Sequence, residues 1–126
     1  MSYVLVDTSV WVDHFRRNNP ALVYLLEQDR VLVHSLVLGE LACGTPANRK
    51  NTLLDLNGLR YAQQASLTET FDFIERENLF GFGCGLIDML LLASAIMTPQ
   101  ATIWTLDERL SILAERFSVT HRIRSH

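Results

Sequence analysis

Short runs of consecutive apolar residues alternate along this chain with longer segments whose apolar positions recur every three or four residues, a pattern that predicts buried strands between helices. The first run, residues 3–6, ends in Asp7-Thr8-Ser9, so a buried strand leads into a helix with a hydroxyl N-cap that extends to about residue 15. Arg16-Arg17-Asn18-Asn19 interrupts it, and Pro20 suits the first turn of a second helix over 21–28. A second strand is expected at 31–33. Ser35 is placed to cap a third helix holding Leu36, Leu38, Leu41 and Ala42, which Gly44 and Pro46 stop. A fourth helix over about 47–56 closes at Asn57-Gly58 and precedes a weak strand at 59–62. Residues 67–77 form an amphipathic helix with Phe71, Ile74 and Asn78 on one stripe. The glycine-rich connection 79–85 delivers the chain into 86–97, a helix apolar on nearly every face and therefore packed on several sides. A strand at 101–104, a helix over 107–117 and an edge strand at 118–121 complete the order.

Strands separated by helices in this way predict a parallel sheet covered on both faces. The expected fold class is α/β, a three-layer α/β/α sandwich around a mostly parallel sheet of four to five strands, with one domain over residues 1–126. A length of 126 residues and a hydrophobic fraction of 48% agree with a globular domain and exclude a disordered chain. Cys43 and Cys84 lie far apart, which suggests neither a disulfide framework nor a zinc knuckle and makes a reducing cytoplasm the expected compartment. No basic region precedes an apolar stretch at the N-terminus, and the longest apolar run after Asp88 covers only 89–97, short of the roughly 20 residues of a membrane span.

Of the 14 acidic residues, four have an apolar sequence context that predicts burial: Asp7 after Val-Leu-Val, Glu40 in Leu-Gly-Glu-Leu, Asp88 in Leu-Ile-Asp-Met-Leu, and Asp107 after Trp-Thr-Leu. A buried carboxylate has to pair, bind a cation or shift its pKa. Asp7 and Asp107 fall at the C-terminal ends of predicted strands, where open parallel sheets form their ligand crevice. Glu40 lies in the helix after another strand, and Asp88 in the first turn of the apolar helix. All four can converge on one edge, and no basic residue lies within four positions of Asp7, Glu40 or Asp88. An oxygen-preferring divalent cation is the simplest way to neutralise such a cluster. Helix capping is the rival explanation for Asp7, Asp88 and Asp107, with Thr105 and Glu108 as a capping box. It does not reach Glu40, about five residues into its helix.

The segments Val-Asp-Thr-Ser-Val-Trp, Leu-Gly-Glu-Leu, Gly-Leu-Ile-Asp-Met-Leu-Leu-Leu-Ala-Ser-Ala and Trp-Thr-Leu-Asp-Glu-Arg-Leu, in that order and over essentially the whole chain, resemble the PIN-domain ribonucleases, in particular the VapC toxins of bacterial toxin–antitoxin pairs. The resemblance places the family's acidic site on Asp7, Glu40, Asp88 and Asp107 and its hydroxyl companions on Thr8 or Ser9 and on Thr105. It implies an endoribonuclease that depends on one or two magnesium or manganese ions. Asp7 and Asp88 are then direct ligands, Asp107 is a further ligand, directly or through water, and Glu40 ligates or orients the attacking water. Ser9 and Thr105 fix a carboxylate or a water. The implied partners are an RNA substrate, a cognate antitoxin and a second copy of the chain, with no membrane.

Other residues have competing readings. Arg16, Arg17, Arg109 and the group Arg116, Arg122 and Arg124 can contact RNA phosphate or simply form a solvated face. Trp11, Val12 and Phe15 suit either the core or a dimer patch, while Trp104 suits the core. His14, His34, His121 and His126 lack metal spacing and read as structural or surface residues. The 81–85 glycines lack the Lys-Ser/Thr ending of a phosphate-binding P-loop. Phosphoaspartate chemistry is disfavoured, because Ser9 stands where a phosphatase needs a second Asp and the only lysine, Lys50, lies in a peripheral helix. An inactive scaffold that binds RNA or a protein is the remaining alternative. The net charge of −3 argues against a nucleic-acid surface, yet without the four clustered acids ten acids face 11 bases, a balance of +1.

Overall fold

The structure, a computed structural model, describes residues 2–123, so Arg124 and His126 lie outside the described residues. The elements follow in the order β1 (Tyr3–Val6), α1 (Thr8–Arg17), α2 (Pro20–Glu27), β2 (Val31–Val33), α3 (Ser35–Ala42), α4 (Arg49–Asn57), β3 (Arg60–Tyr61), α5 (Leu67–Glu77), α6 (Leu86–Met97), β4 (Ala101–Trp104) and α7 (Glu108–Arg116). The strands lie in the order β3-β2-β1-β4 and every pairing is parallel. The central strand β1 pairs with β4 from Tyr3↔Ala101 to Val6↔Trp104 and with β2 at Val4↔Val31 and Leu5↔Leu32. Val4, Leu5 and Val6 are fully buried, as a strand covered on both faces requires. The α/β/α architecture thus stands, with an all-parallel sheet.

Several local expectations change. Asn48 adopts a left-handed conformation (φ 50°), so α4 begins at Arg49 and not near residue 47. Helix α1 continues to Arg17, where Arg17 Nε meets Asp13 Oδ1 at 2.6 Å one turn back, and Asn18 (φ 52°) ends it. His34, not Ser35, caps α3. Residues 118–121 make one parallel bridge, Ile103↔Thr120, instead of a fifth strand. On α5 the buried positions are Thr70 and Phe73, with Ile74 half-buried, whereas Phe71 is exposed; the apolar stripe is rotated by one position from the expected one. Trp11 is core, which leaves Phe15 as the exposed member of the α1 patch. Helix α6 is buried from Met89 to Ala95. No helix of the described residues is long and apolar enough to cross a membrane.

Candidate active site

Three junctions bring acids to the C-terminal edge of the sheet. Asp7 follows β1, and its amide donates to the Trp104 carbonyl at 2.9 Å, which joins the ends of β1 and β4. Asp107 follows β4 across Thr105 and Leu106, and Asp88 occupies the first turn of α6. Glu40 comes from α3, and Thr8 at the start of α1 donates to its Oε1 at 2.6 Å.

Asp7 is 6% exposed. It stands at the N-cap position of α1 but makes no side-chain cap bond. Its Oδ2 instead accepts from the hydroxyls of Ser9 at 2.9 Å and Thr105 at 2.7 Å. Those hydroxyls are held in turn, Ser9 Oγ by the Leu106 amide and Thr105 Oγ1 by the Asp107 amide, both at 3.0 Å. Thr105 therefore does not cap α7. Asp107 does so, with its Oδ1 accepting from the Leu110 amide at 3.0 Å, and no Thr105–Glu108 capping box forms. Of the two neighbouring hydroxyls, Thr8 donates to Glu40 and Ser9 to Asp7.

The burial expected of all four acids holds only for Asp7; Asp88 is half-buried, and Glu40 and Asp107 are exposed. Apolar neighbours at ±1 imply burial in a strand with both faces covered, but on a helix those neighbours point elsewhere. Glu40 accordingly faces out while Val37 and Leu41 face the core. The acids nonetheless act on one another. Burial raises the Asp88 carboxyl above the ordinary range, the Gly85 amide opposes this, and the charges of Asp7, Asp107 and Glu40 raise it further. Burial likewise pushes up the Cys84 thiol, with Asp88 and Asp107 adding to the effect and Arg109 opposing it.

Each of the four carboxylates has one oxygen engaged by the chain: Asp7 Oδ2, Glu40 Oε1, Asp88 Oδ2 (by the Gly85 amide at 3.4 Å) and Asp107 Oδ1. Among the described residues the second oxygen of each accepts no hydrogen bond, and no ion pair involves any of the four. Oriented, unneutralised oxygens of this kind fit a hard divalent cation. As they stand, no three His, Cys, Asp or Glu side chains of the described residues form a ready cage.

Among the arginines, Arg109 lies beside the site, its Nη1 donating to the Gly83 carbonyl at 3.3 Å. Arg16 and Arg17 sit at the far end of α1, about 14 Å along the helix from its start beside Asp7. Arg116 donates to the Glu77 carbonyl and Arg122 pairs with Glu115, each with its own local partner.

A second polar cluster lies deeper. Buried Ser94 of α6 donates to the Leu90 carbonyl at 2.7 Å and accepts from the Ala65 amide at 3.0 Å, so the proton in its 3.1 Å contact with His34 belongs to His34 Nε2. His34 Nδ1 then accepts from the Leu36 amide at 3.1 Å and caps α3. Burial lowers the pKa of His34, in keeping with this neutral tautomer.

The sequence is similar to that of two curated proteins, each named Ribonuclease VapC32, from Mycobacterium tuberculosis strains CDC 1551/Oshkosh and ATCC 25618/H37Rv. Each is 38% identical to it over 107 residues, 85% of this chain and 86% of the relative. The PIN domain profile matches residues 4–116, a stretch that begins inside β1 and ends with α7, and includes all four acids. With the fold, the acid-bearing junctions and this match in agreement, the chain belongs to the PIN domain family.

Proposed function

We propose that this protein is a divalent-metal-dependent endoribonuclease and the toxin of a toxin–antitoxin pair. The observation that carries the reading is the set of four carboxylates at one sheet edge, each fixed through one oxygen and uncommitted at the other. The relatives' name supplies the substrate class, RNA.

Asp7 and Asp88 would hold one or two magnesium or manganese ions, joined by Asp107, directly or through water. A cation bound there makes water more acidic and stabilises negative charge at the phosphate. The hydroxyls of Ser9 and Thr105 keep Asp7 Oδ2 occupied, so that Oδ1 alone is left uncommitted. Glu40, held by Thr8, orients the attacking water through its free oxygen. Water gives up a proton as it adds at phosphorus in line with the ribose oxygen that leaves, the phosphorus–oxygen bond to that ribose breaks, and the leaving alkoxide takes up a proton. A cytoplasmic location, a cognate antitoxin and a homodimer belong to the same reading.

The test is cleavage of total RNA with magnesium, manganese or EDTA by wild type, Asp7→Asn and Asp88→Asn. Cutting by wild type that EDTA abolishes, and none by either variant, is expected; undiminished cutting in EDTA or by both variants would overturn the mechanism. Expression of wild type should arrest growth and the same substitutions should relieve the arrest. Normal growth with an active wild type would overturn the toxin role.

A further inference from the structure

Between α5 and α6 the chain reads Leu79-Phe80-Gly81-Phe82-Gly83-Cys84-Gly85, without a charged side chain. Leu79 is fully buried and anchors this strap to the core, whereas Phe80 is 63% and Phe82 47% exposed. Gly81 and Gly83, at φ 83° and 82°, adopt conformations that disfavour L side chains, so the alternation of ring and glycine is built into the backbone path. The strap is also clamped. Arg109 of α7 donates to the Gly83 carbonyl, and a Cβ at residue 83 would lie 2.9 Å from its Nη1. Two phenyl rings are thereby presented to solvent on a braced segment that leads directly into the helix bearing Asp88. Leu86 and Leu106, both exposed and each next to or near an acid in the chain, continue the apolar rim.

A partner for this rim needs apolar, flat faces for the rings and negative charge for the guanidinium. An unpaired nucleotide has both, since its base presents a π-face and its phosphate an anion. Position favours it over a peptide: the strap runs directly into the helix that bears Asp88, and the arginine that clamps it stands two residues after Asp107. Duplex bases are already stacked on one another and cannot use the rings without being unpaired.

We propose that Phe80 and Phe82, with Arg109, form a stacking subsite for an unpaired nucleotide next to the scissile phosphate. This inference rests on the ribonuclease reading above.

The test is binding of a labelled single-stranded RNA oligonucleotide, and of the same sequence as a duplex, by the full chain carrying Asp88→Asn to prevent cutting. On that background, Phe80→Ala with Phe82→Ala is compared with the paired leucine and paired tyrosine substitutions, with thermal midpoints checked against the parent. The alanine pair should weaken single-strand binding by about tenfold for each ring lost. The tyrosine pair should retain it, the leucine pair should not, and the parent should bind the single strand more tightly than the duplex. Unchanged binding by the alanine pair, or full binding by the leucine pair, would overturn the subsite while leaving the nuclease reading intact. A parent that binds no RNA overturns the subsite, whereas the nuclease reading is read separately by wild-type cleavage of total RNA.

Discussion

At the end of β1, the hydroxyls of Ser9 and Thr105 brace Asp7; at the end of β2, the hydroxyl of Ser94 braces His34. Each cluster joins segments far apart in the chain, and each satisfies backbone amides as well as side chains. They differ in what is left over. Around His34 both ring nitrogens have partners and the ring is neutral, so the cluster is closed. Around Asp7 one carboxyl oxygen remains that none of the described residues engages. A buried polar group that is fully satisfied holds a fold together, whereas one that is braced but left unfinished is arranged for something outside the chain.

If the unfinished oxygen is what matters, its removal has the largest effect. Asp7→Asn should reduce RNA cleavage by more than about 100-fold, beyond the range seen for groups that merely orient a ligand. Thr105→Val, which removes one hydroxyl from the brace and keeps the carboxylate, should cost about 10- to 100-fold in cleavage or in the metal concentration for half-maximal rate. The closed cluster should respond in the opposite way. Ser94→Ala strands the Ala65 amide and His34 Nε2, so chemical denaturation should show a loss of about 1–3 kcal/mol while cleavage per folded molecule stays unchanged.

The smallest effect concerns Asp88. Burial and the other acids raise its pKa in the folded state, so the folded chain binds this proton more tightly than the unfolded one. Its contribution to folding is favourable at low pH and is lost as pH rises through the raised value. At neutral pH without divalent metal, Asp88→Asn should therefore raise the thermal midpoint, and that gain should vanish on acidification. Melting curves against pH in EDTA, run in parallel with cleavage assays, would read out both losses and gains.

Much of this was legible in the sequence where one physical rule dominated. Runs such as Val4-Leu5-Val6 and the apolar helix around Leu91 leave few alternatives, and both appear as expected. For Glu40 the apolar sequence context misleads about burial, because its neighbours lie on a helix and bury other faces. Local spacing offers Thr105 only as a cap, and it is the family resemblance that implies a hydroxyl fixing a carboxylate or a water; its partner Asp7 lies 98 positions away. The His34–Ser94 contact spans 60 positions and was equally invisible. The alternation Phe-Gly-Phe-Gly was visible throughout, but its meaning depends on knowing that the rings face solvent and that Arg109 clamps the glycine between them and the acids.

The bond from Thr105 to Asp7 also bears on the order of events during synthesis. β1 emerges first, yet its partner β4 and the hydroxyl that orients its acid are made nearly one hundred residues later. At about 5–20 residues per second, that separates the two halves of the site by several seconds. A nascent chain surrounded by ribosomal RNA therefore carries Asp7 without its brace and without Asp107 for most of its translation. The acidic cluster is therefore complete only once β4 and the start of α7 have been made.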